Sequence, residues 1–153
     1  MKKILIIGLL LIVSKSPLAA GLINEMQSCQ ALINFVDNKL DLAPSNYNQE
    51  DVKKIRKGLG TYNQYIQRQI VSPGLLQFNG GDKDKANQMQ KQVDTYKQTL
   101  AKQLEARYPK NRLFMDHAIA VNNCAKKAVP SGGELAQLKE ALNLMVKLAK
   151  ISG

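Results

Sequence analysis

The stretch LINEMQSCQALINFVDNKLD, residues 22–41, decides the fold class of this chain. Its apolar side chains are separated by alternating steps of four and three residues, the spacing that lines one face of an α-helix. The stripe consists of Leu22, Met26, Cys29, Ile33, Val36 and Leu40. The stretch therefore predicts an amphipathic helix whose apolar face must be covered by other helices.

The same spacing recurs along the rest of the chain, and no stretch shows the alternation of apolar and polar residues that is typical of a strand. The pattern predicts five helices, over residues 22–41, 49–70, 82–108, 111–128 and 133–150. Because most connections are short, consecutive helices are expected to pack antiparallel. We therefore predict an all-α fold, a four- to five-helix up-and-down bundle, formed by a single domain over residues 21–153.

Two helices carry more specific signals. Gly58 and Gly60 lie inside the second predicted helix, where each glycine costs about 1 kcal/mol relative to alanine. They therefore predict a close helix crossing or a local kink. The apolar stripe of the third predicted helix consists of Ala86, Met89, Val93, Tyr96 and Leu100.

Residues 1–20 have the organisation of a cleavable secretory signal peptide. Lys2 and Lys3 form a basic start, residues 4–13 are mostly aliphatic, and small residues follow. An apolar run of this length is too short to cross a hydrocarbon core of about 30 Å. We predict cleavage near Ala20/Gly21, no stable membrane anchor, and a periplasmic or secreted location.

Cys29 and Cys124 are the only two cysteines of the chain. An even number of cysteines in an exported protein predicts one disulfide bond, here between the first and fourth predicted helices. A redox or metal-binding pair is the alternative, but the two residues lie far apart in sequence and form no Cys-x-x-Cys motif. We therefore expect a structural disulfide bond that ties the bundle together.

The chain is basic, with a formal net charge of +10. Cleavage of the signal would leave 19 basic and 12 acidic side chains, a net charge of about +7. Such a charge attracts acidic partners through long-range fields. The densest basic run, KKIRK at residues 53–57, lacks the interleaved aromatic residues of a nucleic-acid-binding surface. We therefore predict a protein or an acidic envelope component as the partner, and no nucleic acid.

The connector VSPGLLQFNGG, residues 71–81, combines turn-forming residues with apolar ones. Its proline and glycines predict a loop over residues 72–81. Leu75, Leu76 and Phe78 nevertheless predict burial, or contact with another molecule. Two interpretations stay open, a lid over the end of the bundle and a binding surface, and coverage of all three side chains would favour the lid.

His117 is the only histidine, and it lies beside the apolar stripe of the fourth predicted helix. A lone histidine in an exported helical bundle, together with Met26 on the first helix, raises the possibility of haem. In an antiparallel pair joined at the cysteines, the two side chains would be displaced by about 15 Å along the axis. That separation is too large for both to bind one iron. A partly buried histidine is the favoured interpretation.

The sequence lacks three motifs that are typical of di-iron bundles, zinc hydrolases and serine hydrolases. Glu-x-x-His, His-Glu-x-x-His and Gly-x-Ser-x-Gly are all missing. Asp116 and His117 are adjacent, so on a helix their side chains would point about 100° apart. We therefore predict that the protein is not an enzyme and that it binds no metal and no cofactor.

Two functions follow from these features. The leading prediction is a non-enzymatic exported interaction protein that binds an envelope component or another protein, with Leu75, Leu76 and Phe78 as the candidate contact residues. The alternative is a carrier of haem or another small apolar ligand, held within the bundle near His117.

Overall fold

The computed structural model describes residues 17–151, and every element among them is helical. The helices are α1 (Pro17–Asp41), α2 (Gln49–Ile66), α3 (Ser72–Phe78), α4 (Lys83–Arg107), α5 (Met115–Lys127) and α6 (Gly132–Ile151). A π-helical turn at Gln67–Val71 joins α2 to α3 without interruption. Because α2, the π-helical turn and α3 form one continuous helix, the described chain contains five helices and one disulfide bond, as predicted.

Most of the predicted signal peptide, residues 1–16, lies outside the described residues. The predicted cleavage position near Ala20/Gly21 falls close to the start of α1. Signal cleavage therefore stays a prediction. Among residues 17–151, we find no helix with the length and apolar character needed to span a membrane.

Helices α1 and α5 run antiparallel, as predicted for the disulfide-linked pair. The disulfide bond joins Cys29 to Cys124, with a Cα–Cα distance of 5.9 Å. Further along α1, the ring of Phe35 contacts the ring of His117, which lies nearer the start of α5, at 5.2 Å between centroids. Residues that come later in α1 therefore contact residues that come earlier in α5.

Helices α2 and α6 also run antiparallel. Asp51 pairs with Lys147 at one end, with a distance of 2.6 Å, and Arg68 pairs with Glu134 at the other, with a distance of 3.2 Å. Helix α1 packs on α2, and α5 packs on α6. The helices α1, α2, α6 and α5 thus close into a four-helix ring around one core.

The interior of the four-helix ring is filled by large apolar side chains. Those with at most 1 % exposure are Met26, Phe35, Val36, Ile55, Leu59, Tyr62, Ile66, Val121, Leu138, Met145 and Leu148. Burial of each such side chain contributes about 1.5–3 kcal/mol relative to leaving it in water. The one hydroxyl among them is satisfied, because Tyr62 donates a hydrogen bond to the carbonyl of Ala128 at 3.0 Å. Burial also raises the pKa of Tyr62, so the phenol stays protonated.

Gly58 marks the closest approach between α2 and α6. A Cβ at this position would lie 2.6 Å from the carbonyl oxygen of Gln137 and 2.8 Å from the Cβ of Ala141. The predicted close crossing is therefore confirmed at Gly58. Gly60 has nothing within 4 Å of a Cβ and faces open space.

The predicted loop at residues 72–81 is wrong, because residues 72–78 form α3 and only residues 79–82 connect it to α4. Gly80 and Gly81 have φ values of 64° and 85° and form that short connection. Pro73 was expected to end the helix, yet it lies in the first turn of α3 directly after the π-helical turn. Proline has no N–H to donate, and the change of hydrogen-bonding pattern at the π-helical turn lets it occupy the first turn of α3 inside a continuous helix.

Gly74 is required by packing rather than by a turn. A Cβ at this position would lie 2.5 Å from the side chain of Ile23 on α1. The proline and the glycine that predicted a loop therefore lie within a continuous helix. The wider π-helical turn accommodates Pro73, and the missing side chain of Gly74 leaves room for Ile23.

Helix α4 lies outside the four-helix ring, against α1 and α3. None of its 25 residues is fully buried. The predicted stripe is wrong at Tyr96, which is 49 % exposed. Lys97 takes its place on the inner face, with 14 % of its side chain exposed. A salt bridge to Asp94 and a contact with a glutamine on α1 explain why a lysine is tolerated there.

The connection 108–114 closes the end of the bundle where α1 ends and α5 begins. Leu113 is fully buried, and its N–H donates a hydrogen bond of 2.9 Å to the hydroxyl of Tyr47 in the connection 42–48. The two connections are thereby tied together. An apolar lid over an end of the bundle thus exists, but it is formed at residues 108–114.

Candidate functional site

The predicted disulfide bond between Cys29 and Cys124 is confirmed, and it lies just beneath the surface. Each cysteine is 7 % exposed. A salt bridge of 2.9 Å between Glu25 and Lys127 lies one turn away on the same two helices. Disulfide bonds persist in oxidising, extracytoplasmic compartments, so the bond indicates such an environment for this chain.

His117 is buried near the start of α5, with 2 % of its surface exposed. Its Nδ1 accepts a hydrogen bond of 3.3 Å from the backbone N–H of Phe114, the residue that caps α5. A histidine here occupies the position that glutamate or glutamine holds in a capping box. Because Nδ1 accepts, the neutral ring carries its proton on Nε2. That Nε2 is buried and has no hydrogen-bond partner among the described residues.

Three aromatic rings surround His117. The centroid distances are 4.7 Å to Tyr108, 5.4 Å to Phe114 and 5.2 Å to Phe35, all in edge-to-face orientation. Such contacts suit a neutral imidazole, which can direct an N–H edge at a π face. Burial lowers the pKa of His117 from 6.5 to about 4, Asp116 opposes this shift, and Lys39 adds to it.

Lys39 is a buried cation of α1 beside this aromatic cluster. It is 2 % exposed and pairs with Glu105 of α4, a half-exposed carboxylate, at 2.5 Å. Its ammonium group also lies 5.3 Å from the ring centroid of Phe35. A buried lysine without its carboxylate would be strongly unfavourable, so this ion pair ties α4 to α1.

The three apolar residues at 75–78 have different environments. Leu75 is 4 % exposed and belongs to the core, Leu76 is half-buried, and Phe78 is 43 % exposed at the end of α3. They neither form one covered lid nor one open patch. Leu75 cannot reach a partner without unfolding α3, whereas Phe78 is accessible. The structure does not bring these residues near His117, which lies towards the other end of the bundle.

A ring of polar side chains connects α1, the π-helical turn and α4. Gln30 donates to Gln67 at 3.0 Å, Gln67 donates to Gln90 at 3.0 Å, and Gln90 donates to Asp94 at 3.0 Å. Lys97 closes the ring through Asp94 at 2.8 Å and Gln30 at 3.5 Å. We call these five residues the polar ring.

Two glutamines of α1 are buried rather than solvent-exposed. Gln30 is 3 % exposed, and Gln27, one turn earlier on α1, is 2 % exposed. Sequence reasoning missed the polar ring because a glutamine among apolar residues carries no signal for which partner it will meet. The π-helical turn that positions Gln67 has no sequence signature of its own beyond the following Pro73.

An open apolar groove of about 400 Å³ runs between α5 and α6. It is lined by Ala118, Ile119, Asn122, Lys139, Leu142, Asn143 and Val146. Ile119 lies at the middle of α5 and is 52 % exposed. Met115, one turn earlier on the same face, is 37 % exposed. The groove thus presents an apolar strip to its surroundings.

Three lysines border the groove. Lys139 is part of its lining. Lys126 follows Asn122 by one turn on α5, and Lys150 follows Val146 by one turn on α6. Because the helices are antiparallel, Lys150 lies at one end of the groove and Lys126 at the other. Within residues 17–151, none of the three lysines has a carboxylate within salt-bridge distance.

The described residues offer two candidate binding surfaces, the groove between α5 and α6 and the exposed end of α3. The described residues contain no group of three or more histidine, cysteine, aspartate or glutamate side chains arranged to hold a metal ion. The comparisons with known proteins add no relative: no family model, no curated protein and no solved structure matches this chain.

Proposed function

We propose that this chain is a non-enzymatic interaction protein, exported to the periplasm or secreted, that binds an acidic amphipathic segment of another protein in the groove between α5 and α6. The observation that carries the proposal is the open apolar groove with lysines along its border, with which no carboxylate among residues 17–151 is paired. The export signal predicted from the sequence and the disulfide bond support the location.

The shape and chemistry of the groove favour a helix as the bound segment. Two antiparallel helices leave a linear trough, and an amphipathic helix lays its apolar face into such a trough. Ile119, Leu142 and Val146 would contact that apolar face. Lys126, Lys139 and Lys150 would select a helix with acidic flanks, because opposite charges at the rim direct encounter and orientation.

The surroundings of His117 support a non-enzymatic role. A general base must reach a substrate within hydrogen-bond distance, directly or through one water. The imidazole of His117 is enclosed by three aromatic rings, and its Nδ1 is engaged by the backbone of Phe114. The simplest role for this histidine is to complete the packing at the start of α5.

A photo-crosslinking amino acid placed at Ile119 would test the proposal in cells that export the protein. We expect a discrete crosslinked product with one protein partner, because the side chain projects into the groove. The same amino acid at Tyr96, which is equally exposed on α4, is the matched control and should give no such product. A third position, Phe78, tests the surface at the end of α3 that the sequence predicted.

Charge reversal at the groove distinguishes specific from adventitious crosslinking. Lys139→Glu combined with Lys150→Glu should strongly reduce the product at Ile119, while Lys83→Glu combined with Lys91→Glu on α4 should leave it unchanged. Equal products at Ile119 and Tyr96, or products only at Phe78, would contradict the assignment of the groove.

The haem or small-ligand carrier near His117 stays an alternative prediction. Its test is the visible absorbance of the purified protein before and after addition of haem, compared with His117→Ala. A Soret band that depends on His117 would favour the carrier over the interaction protein, and its absence in both proteins would end the haem version.

A further inference from the structure

The end of the bundle at which α1 finishes and α5 starts carries a surface distinct from the α5–α6 groove. It is built from the connections 42–48 and 108–114, which the hydrogen bond from Leu113 to Tyr47 holds together. Leu113 is fully buried and fixes the second connection to the core. The outward-facing residues of this end therefore project from connections that are held in place by the core.

This surface is basic. Residues 106–115 contain Arg107, Lys110 and Arg112, and neither this stretch nor residues 42–49 contain a carboxylate. The guanidinium groups of Arg107 and Arg112 lie 5.5 Å and 4.6 Å from the ring centroids of Tyr108 and Phe114. Cation–π contacts of this kind hold the two arginines in place over the connection.

The carboxylates nearest in sequence to this surface are mostly engaged elsewhere. Asp41 accepts from Arg56 at 2.9 Å, and Glu105 pairs with the buried Lys39. Asp116, at the start of α5, and Glu50 and Asp51, at the start of α2, are the further carboxylates adjacent to the two stretches, and Asp51 pairs with Lys147. The surface therefore keeps a clear excess of positive charge.

The same end exposes apolar side chains. Leu42, the residue that follows α1, is 63 % exposed, more than any other large apolar residue among residues 17–151. Met115 is 37 % exposed beside the basic stretch. Apolar residues that project from a fixed end among cations are typical of surfaces that enter the headgroup region of a bilayer.

We infer that this end of the bundle docks onto a membrane surface rich in anionic phospholipid, with the exposed Arg107 and Lys110 at the headgroups and Leu42 inserted between them. Each lysine or arginine near an anionic surface strengthens binding by about fivefold. The inference is independent of the proposed function, because it involves no residue of the α5–α6 groove apart from the neighbouring Met115.

Vesicle sedimentation tests the inference with the exported protein, whose N-terminus is established by mass spectrometry. Vesicles of 30 % phosphatidylglycerol in phosphatidylcholine are compared with pure phosphatidylcholine at low salt. We expect binding to the anionic vesicles only, and loss of that binding in 0.5 M salt, since the attraction is screened. Equal binding to both vesicles, or binding to neither at millimolar lipid, would overturn the inference.

Two matched pairs of substitutions locate the surface. Arg107→Gln combined with Lys110→Gln should lower the partition coefficient about 25-fold. Lys83→Gln combined with Lys91→Gln removes the same charge from the first half of α4, away from this end of the bundle, and should lower it less than twofold. Equal losses in the two double variants would show a response to net charge alone and would overturn the assignment of this end.

The apolar contribution is tested separately. Leu42→Ser should lower the partition coefficient about tenfold, because an inserted leucine loses its apolar contact with the bilayer. Phe78→Ser, at the opposite end, should leave it unchanged. If Leu42→Ser has no effect and soluble polyphosphate competes fully with the vesicles, the surface binds anionic polymers rather than a bilayer and the inference fails.

Discussion

The four-helix ring and helix α4 are held by different physical forces. The ring has an interior of large apolar side chains, a disulfide bond between α1 and α5, and a contact between α2 and α6 so close that only glycine fits at residue 58. Helix α4 has 25 residues, none fully buried, and is attached through the polar ring, the Lys39–Glu105 ion pair and half-buried apolar side chains.

This difference teaches how one chain can combine a rigid core with a weakly held helix. Apolar burial of about 25 cal/mol per Å² stabilises the ring wherever side chains interdigitate. The hydrogen bonds that attach α4 replace hydrogen bonds to water in the unfolded chain, so each stabilises the folded protein by only about 0.5–1.5 kcal/mol net. Helix α4 is therefore expected to open locally at a lower free energy than the ring unfolds.

Removal of the disulfide bond should produce the largest loss of stability. Cys29→Ser releases a closed loop with a sequence separation of 95 residues, and the chain-entropy model gives a loss of about 4.7 kcal/mol. Urea denaturation monitored by circular dichroism measures it. Cys124→Ser is expected to give the same loss, since either substitution breaks the same bond.

Reductant provides the control for this prediction. It should destabilise the wild-type protein and leave both serine variants unchanged, because only the wild type has a bond to reduce. Two free thiols in the wild-type protein, extracted without reductant and alkylated at once, would contradict the disulfide bond itself.

The ring was largely predictable from sequence because apolar periodicity and cysteine count report directly on what must be buried. An apolar stripe such as the one that contains Cys29 predicts a buried helix face. A glycine inside a helix, such as Gly58, predicts either a close helix crossing or a kink. Helix α4 was predictable only in extent. Polar residues such as Gln30 and Lys97 are solvated in most proteins, and no local pattern distinguishes the few that find a partner on another helix.

The segment around Pro73 is a second case in which the local sequence did not predict the structure. Proline and glycine usually end a helix, so the sequence favoured a loop. The outcome depended on a tertiary contact, the approach of Ile23 to Gly74, and on a π-helical turn that places Pro73 in a first turn. Neither feature is encoded within the segment itself.

Acid should destabilise the protein through His117. The folded-state pKa is lowered to about 4 from an ordinary value of 6.5, so the unfolded chain takes up a proton first as the pH falls. This contribution is complete above pH 6.5 and is lost as the pH falls to about 4, a total of about 3 kcal/mol. Urea denaturation midpoints measured between pH 7 and pH 4 give the slope.

His117→Gln separates this effect from the titration of carboxylates. Glutamine can still accept the hydrogen bond from Phe114, as it does in capping boxes, but it does not titrate. The variant should be less stable at pH 7 because ring contacts are lost, and its stability should depend less on pH. A variant with the same pH slope as the wild type would show that other groups cause the acid sensitivity.

The crossing of α2 and α6 offers a smaller perturbation of the ring. Gly58→Ala places a Cβ 2.6 Å from the carbonyl oxygen of Gln137, so the helices must separate, at a cost of about 1–3 kcal/mol. Gly60→Ala, two residues away in open space, should instead stabilise the protein by up to about 1 kcal/mol. Thermal denaturation of the two variants should therefore shift in opposite directions, and shifts in the same direction would contradict the close crossing.

Substitution in the polar ring is expected to change the free energy of unfolding least. Its effect should be confined to α4, which would distinguish α4 from the four-helix ring. Gln67→Ala removes the hydrogen bonds to Gln30 and Gln90, and should lower the free energy of unfolding by about 1 kcal/mol. Hydrogen exchange should accelerate in residues 83–107 and stay unchanged in α2 and α6, because only the attachment of α4 is weakened. Gln92→Ala, which removes an exposed amide of α4, should leave exchange unaltered. If both variants accelerate exchange equally, or if the acceleration extends to α6, then α4 is not held by the polar ring and opens only when the whole protein unfolds.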